Sequence, residues 1–186
     1  LKELDYQIVT LGELEHANDL TIDELEEFGF YDDRMERVEV YLALAGDSFG
    51  WQNYGGNGHI NVPALSLDRL RAFLGYERAS LRDVLRHEYA HAVADTHRGL
   101  MRSRRFAVAF DGSHSSERAS TYDKARHVTP YAAARPDEDF AEVFMKFLKH
   151  KGQVPRRFRT PVIRRKWKFV KDLGSHRVGI AAGFEE

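Results

Sequence analysis

Residues 81–97, LRDVLRHEYAHAVADTH, contain side chains that can bind a metal ion and move a proton. His87 and His91 are four residues apart and enclose Glu88, which makes an H-E-x-x-H pattern. Four residues advance an α-helix by about 400°, so both imidazoles project from one side of the helix. Glu88 would lie about 100° around from His87, close enough to take a proton from a water beside the metal. The pattern therefore predicts a zinc site with two histidine ligands and a carboxylate base.

A catalytic zinc site needs a third protein ligand, and His97 is one candidate for it. His97 follows His91 by six residues, which is the metzincin spacing. In that class a glycine breaks the helix after the second histidine, but Ala94 stands at this position and favours helix. A helix that continues to Gly99 turns His97 about 240° away from His91. His97 is therefore the weaker alternative, and we expect it in the exposed last turn of the helix.

Glu138 is the stronger candidate for the third ligand, because the gluzincin class takes this ligand from a glutamate on a second helix. Glu138 and Glu142 are four residues apart in YAAARPDEDFAEVF, so both can face the metal helix. Glu138 would bind the metal, and Glu142 would accept a hydrogen bond from a ligand histidine and fix its tautomer. The alternative is that these acids are only charges at a helix N-terminus, which explains Glu142 less well than Glu138.

The segments HEYAH and TPYAAARPDEDFAEVF together resemble the catalytic domain of anthrax lethal factor and related bacterial gluzincins. That family places a tyrosine seven residues before the glutamate ligand, as Tyr131 precedes Glu138 here. Beyond these segments there is only a weaker similarity in the last helix. The resemblance implies a zinc-dependent endopeptidase with one Zn²⁺, of the kind that bacteria secrete as toxins or effectors. It implies these roles: His87, His91 and Glu138 as zinc ligands, Glu88 as general base, Glu142 as the carboxylate behind a ligand histidine, and Tyr131 as oxyanion donor.

Tyr131 also has a physical case of its own. A phenol near Zn²⁺ can donate a hydrogen bond to an oxygen atom as negative charge develops on it. Two alternatives remain open, namely that Tyr131 is only a half-buried aromatic residue near a helix start, or that His127 is the donor instead.

The elements that must position these residues predict an α+β fold, a single zincin-like domain over residues 1–186. A small twisted sheet would precede an active-site helix and a ligand-bearing helix. Helical spacing, caps and glycines predict helices at residues 20–28, 66–75, 80–99, 137–150 and 160–174. Strands are expected at 37–46 and 59–65, with 50–59 as a loop. Pro63 favours an edge position for the second strand, and residues 99–129 are expected to form a long loop over the cleft.

Composition narrows the function classes. The chain has no cysteine, which excludes disulfides and cysteine-based zinc sites, and no apolar run of the roughly 18 residues that a membrane span needs. The residues that follow Leu1 lack the basic start and apolar stretch of a signal peptide, and we expect the sequence to be a piece of a longer chain. The compartment, cytoplasmic or exported, and the oligomeric state are therefore left open.

Charge is distributed unevenly along the chain. Residues 1–30 are acidic and residues 151–171 are basic, and we expect the two regions to attract each other across the surface. The alternative is that the basic run grips phosphates or an acidic partner, although binding of nucleic acid is disfavoured.

Three functions are compatible with these features. The first is an endopeptidase whose protein or peptide substrate lies extended along an edge strand near residues 59–62, HINV. The second is a zinc hydrolase that acts on a non-protein amide. The third is a non-catalytic binding or regulatory module with the zincin fold that uses the basic run.

Overall fold

A computed structural model of the chain describes residues 9–44, 50–54, 57–64, 80–117 and 120–181. Within them lie six α-helices and one three-stranded sheet, which confirms the α+β class. The helices are α1 (Leu11–Glu27), α2 (Leu81–Thr96), α3 (Arg98–Met101), α4 (Arg104–Phe110), α5 (Pro136–Lys149) and α6 (Pro161–Ala181). The strands are β1 (Val38–Ala43), β2 (Gly50–Tyr54) and β3 (Asn57–Pro63). Among the described helices, none combines the length and apolar character of a membrane span.

The sheet has the strand order β1-β3-β2. β1 runs parallel to β3, and β2 runs antiparallel to it. Two predictions for this region are therefore wrong: residues 50–54 are a strand rather than a loop, and β3 lies in the centre of the sheet rather than at an edge. Pro63 is tolerated there because it ends the strand, and the next residue, Ala64, donates the following hydrogen bond to Ala43 O at 2.7 Å.

Gly58 allows close packing within this sheet. A Cβ atom at Gly58 would lie 2.0 Å from the indole of Trp51, which lies on the adjacent strand β2 and pairs with Ile60. Only glycine leaves room for the ring at this point. Glycine is typical of loops, but Gly58 lies inside a strand for this reason.

α1 is longer than predicted, because it begins at Leu11 instead of near residue 20. Thr10 caps it: the threonine hydroxyl accepts from the Glu13 backbone N–H, and the Glu13 carboxylate accepts from the Thr10 N–H at 2.9 Å. This reciprocal capping stabilises the first turn. The predicted stop is confirmed, since the helix ends at Glu27 and Gly29 follows with φ 72°.

The two helices predicted to carry the metal site are confirmed as helices. α2 begins after Ser80, whose side chain accepts from the Asp83 N–H at 3.1 Å, and ends at Thr96, three residues before the predicted end at Gly99. α5 begins one residue before its predicted start. The helix predicted at residues 66–75 lies outside the described residues.

α6 continues past Gly174, where the sequence predicts its end. A Cβ atom at Gly174 would lie 2.1 Å from the carbonyl oxygen of Phe28, so glycine is needed here for close packing of α6 against the end of α1.

The long loop predicted at residues 99–129 is wrong in its first part. α3 and α4 occupy residues 98–101 and 104–110, and Ser103 caps α4 by accepting from the Phe106 N–H at 3.2 Å. Phe106 and Phe110 are fully buried, and both rings contact Phe140. This four-residue spacing of aromatic side chains is the helical signal in the region. From Asp111 to Thr129, the described residues are neither helix nor strand.

Buried charges fasten the helices to one another. Lys166 on α6 and Asp139 on α5 are both fully buried and form an ion pair at 2.6 Å. Glu24 on α1 pairs with Arg82 at 2.5 Å and with Arg86 at 2.7 Å. None of these ion pairs joins residues 1–30 to residues 151–171, and the expected attraction between the two regions stays a prediction.

Candidate metal centre

α2 and α5 pack against each other and bring His87, His91 and Glu138 to one point. His87 Nε2 lies 3.2 Å from His91 Nε2 and 3.2 Å from Glu138 Oε2. His91 Nε2 lies 3.5 Å from the same carboxylate oxygen. Ligand atoms bound at 2.0–2.1 Å in a tetrahedral zinc site are about 3.3–3.4 Å apart. The three atoms therefore form a triangle of the size of one tetrahedral face, and this group could hold a metal ion.

The charge at this point favours a cation. Glu138 is 8% exposed, and among the described residues no well-directed hydrogen bond reaches its buried Oε2. Burial alone would raise the pKa of Glu138, but the adjacent His87 and His91 hold it well below its usual range. The carboxylate is thus ionised and faces two imidazoles, and its buried oxygen lacks the partner that a bound cation would supply.

His87 is held from its other side by Glu142. The His87 Nδ1–H donates to Glu142 Oε1 at 2.8 Å, which leaves Nε2 with a lone pair for a metal. Burial would lower the pKa of His87, but its contacts with Glu138 and Glu142 raise it to about 10. Without a metal His87 is therefore protonated at neutral pH, because the carboxylates of Glu138 and Glu142 favour a positive charge at this imidazole.

Thr129 is a residue of the site that sequence reasoning missed. Its hydroxyl donates to the second oxygen of Glu142 at 2.6 Å and accepts from the Ala132 N–H at 3.2 Å. Glu142 is fully buried and Thr129 is 2% exposed, so water does not substitute for this bond. No spacing pattern marks a lone threonine thirteen residues before its partner.

Glu88 lies beside the three residues that could hold a metal ion and is not one of them. It is 3% exposed, and its Oε2 accepts from the Trp51 backbone N–H of β2 at 2.8 Å. Glu88 lines a cavity of about 290 Å³ together with His87, His91 and Glu138. The predicted base therefore faces the same space as the predicted ligands.

Tyr131 lies in a short 3₁₀ turn, Tyr131–Ala133, that leads into α5. Its ring centroid is 5.8 Å from that of His87, and it lines the same cavity. Burial raises the pKa of its phenol, and the negative charges of Glu138 and Glu88 raise it further. Tyr131 therefore keeps its proton and is a hydrogen-bond donor at neutral pH.

The two alternative histidines lie elsewhere. His97 caps the C-terminal end of α2, where its Nδ1 lies 2.9 Å from Val93 O. His127 is buried in the loop before α5, where its Nδ1 accepts from the Asp123 N–H at 3.2 Å. Within the described part of the chain, neither belongs to the group that could hold a metal.

Asp95 is a second residue that sequence reasoning missed. It follows His91 by one helical turn, and its Oδ2 accepts from Trp51 Nε1 at 2.6 Å and from Asn53 Nδ2 at 2.9 Å. Burial would raise the pKa of Asp95, but these hydrogen bonds lower it. The carboxylate therefore fastens β2 along the helix that carries His87 and His91.

Comparison with known proteins does not identify a relative of this chain. No protein-family model matches this chain, and no curated protein or solved structure is significantly similar to it. The resemblance carried by two sequence segments thus has no support from similarity over the whole chain.

Proposed function

We propose that this protein is a zinc-dependent endopeptidase. The observation that carries the proposal is the triangle of His87 Nε2, His91 Nε2 and Glu138 Oε2, with sides of 3.2, 3.2 and 3.5 Å. Two neutral imidazoles and one carboxylate are a donor set that suits zinc, and three protein ligands leave the fourth position for water or substrate.

The residues around the triangle supply what hydrolysis of an amide needs. Zinc bound there would act as a Lewis acid on the scissile carbonyl and would lower the pKa of the attacking water. Glu88 takes the proton of that water and passes it to the departing amine. Tyr131 donates a hydrogen bond to the carbonyl oxygen as negative charge develops on it. Glu142 keeps His87 in the tautomer that presents Nε2 to the metal.

The substrate would lie along β2, which replaces residues 59–62 as the expected docking strand. β2 is the outer strand of the described sheet, and its Trp51 N–H points away from β3 to Glu88. The backbone N–H and C=O groups of successive residues in a strand point to alternate sides. Those of Asn53, two residues after Trp51, therefore also point away from β3. An extended peptide can pair with this edge and so bring its carbonyl group beside the metal.

The test is metal analysis and peptide cleavage with matched variants. The purified wild-type chain should bind one zinc ion and cleave casein or a peptide library, and a chelator should abolish cleavage. Glu88→Gln should retain zinc and lose about 10²-fold or more in kcat, because the base is gone while the ligands remain. His87→Ala should lose the zinc itself. A zinc-loaded wild type that cleaves no peptide would overturn the proposal.

A further inference from the structure

A second compartment, of about 300 Å³, adjoins the cavity that is lined by His87, His91 and Glu138. Asp95 and His114 line both spaces, so the compartment begins one helical turn beyond His91 on α2. A side chain of a substrate bound at the metal can therefore reach this space. Neither the metal ligands nor Glu88 and Tyr131 line it.

The compartment has apolar walls near the helix. Ala94 on α2 and Met101 on α3 line it and are 3% and 2% exposed. These side chains offer contact to the methylene groups of an entering side chain, but they provide no hydrogen bond for its tip.

Positive charge exceeds negative charge around the compartment. Arg98 and Arg102 line it, and Asp95 is the one carboxylate that does so. Asp95 already accepts hydrogen bonds from Trp51 and Asn53, and Arg98 lies 3.3 Å from it. The exposed Arg102 adds a second guanidinium group, which attracts an anionic side chain.

His114 contributes a polar atom to the same space. Its Nε2 is buried, and within the described chain no group makes a hydrogen bond to it. Burial lowers the pKa of this imidazole, so it is neutral at pH 7 and can donate from a ring nitrogen. A buried polar group without a partner costs free energy that a ligand can recover by supplying one.

We propose that this compartment is a specificity subsite for an acidic side chain of the substrate, glutamate in particular. The methylene groups would lie against Ala94 and Met101, and the carboxylate would reach Arg102 and His114. Leucine would fill the space but leave His114 Nε2 unpaired, and lysine would be repelled by the excess positive charge of Arg98 and Arg102 over Asp95. The inference deepens the proposed function and depends on it for the position of the substrate.

Peptide hydroxamates test the subsite without any bond being cleaved, because the hydroxamate group binds zinc directly. The compounds of the series differ only in the side chain of the residue next to the hydroxamate, which is glutamate, glutamine, leucine or lysine. Each compound is titrated against the zinc-loaded protein. We expect the glutamate compound to bind at least about tenfold more tightly than the leucine compound, with lysine weakest. Equal affinities, or a preference for leucine, overturn the subsite alone. Failure of all four to bind overturns the metal site and with it the proposed function.

Arg102→Glu is the sharpest variant, because the residue is exposed and its replacement does not disturb the core. It should reverse the order of the glutamate and lysine compounds. Arg104→Glu makes the same change of charge at an exposed residue outside both compartments and should leave the order unchanged. His114→Phe should reduce the preference for glutamate over leucine several-fold while zinc content stays the same. Retention of the wild-type order in Arg102→Glu contradicts the inference even if His114→Phe fails to fold.

Discussion

The Thr129 hydroxyl lies 2.6 Å from Glu142 Oε2, and the other oxygen of that carboxylate lies 2.8 Å from His87 Nδ1. Because Thr129 also accepts from the Ala132 N–H, its own proton is directed to Glu142. A short polar chain thus joins the turn that carries Tyr131 to His87, one of the three residues that could hold a metal ion. The position of the phenol and the orientation of the imidazole therefore depend on the same buried hydroxyl.

Thr129→Val should weaken both the fold and the metal site. The change removes the hydroxyl that donates to a buried carboxylate oxygen of Glu142, which costs about 1–3 kcal/mol of unfolding free energy. Loss of such support behind a metal ligand lowers metal affinity by about tenfold or more. Urea denaturation and zinc competition with a chromogenic chelator measure the two effects. Thr129→Ser keeps the hydroxyl and should behave like the wild type, and an equal loss of zinc affinity in both variants would contradict this role.

The identity of the third ligand can be decided by zinc content. Glu138→Ala removes one corner of the triangle and should reduce bound zinc to well below one ion per chain. His97→Ala should keep zinc and activity, because His97 caps the end of α2, where its ring contacts the helix backbone. Elemental analysis after gel filtration measures both. Full zinc in Glu138→Ala together with loss in His97→Ala would exclude the gluzincin arrangement and support the metzincin one.

Acid should destabilise the chain through Asp83. Burial would raise the pKa of this carboxyl, but Lys149 at 2.5 Å and Arg86 at 2.7 Å hold it below its ordinary value of 3.8. A pKa that is lower in the folded state gives stability that is fully present above about pH 3.8 and is lost as pH falls through the folded-state pKa. Unfolding free energies measured between pH 2 and pH 6 should show this loss.

Asp83→Asn is the matching variant for the acid effect. It should be less stable by about 2 kcal/mol at pH 6, less than for a fully isolated buried charge, because Arg86 keeps Glu24 as a partner. Its stability should also fall less steeply below pH 4 than that of the wild type. An unchanged slope in the variant would assign the acid sensitivity to other carboxyl groups.

Local patterns in the sequence were sufficient for the two helices of the site. The four-residue spacing of His87 and His91, and that of Glu138 and Glu142, place each pair on one helical face, and Ser80 marks the start of α2. These patterns depend only on residues that are close together in the sequence, so they predict the two helices correctly without knowledge of the tertiary contacts.

The parts that sequence reasoning missed depend on contacts between distant residues. Asp95 binds Trp51 and Asn53 across 44 and 42 positions of the chain, and neither pairing has a local signal. Gly58 is typical of a loop until the indole of Trp51 is known to occupy the space beside it. The central position of β3 likewise follows from its pairing with β1 and β2 and not from its composition.

Tyr131→Phe should separate the oxyanion role of the phenol from a packing role. The change removes one hydroxyl while the ring stays beside His87, so zinc content and stability should remain near those of the wild type. If the phenol donates to the developing oxyanion, kcat should fall by about 10²–10³-fold with little change in KM. Tyr122→Phe, at a tyrosine that does not line the metal cavity, is the matched control and should leave kcat unchanged. A wild-type kcat in Tyr131→Phe would reduce this residue to a half-buried aromatic side chain, and the developing charge would then depend on the metal alone.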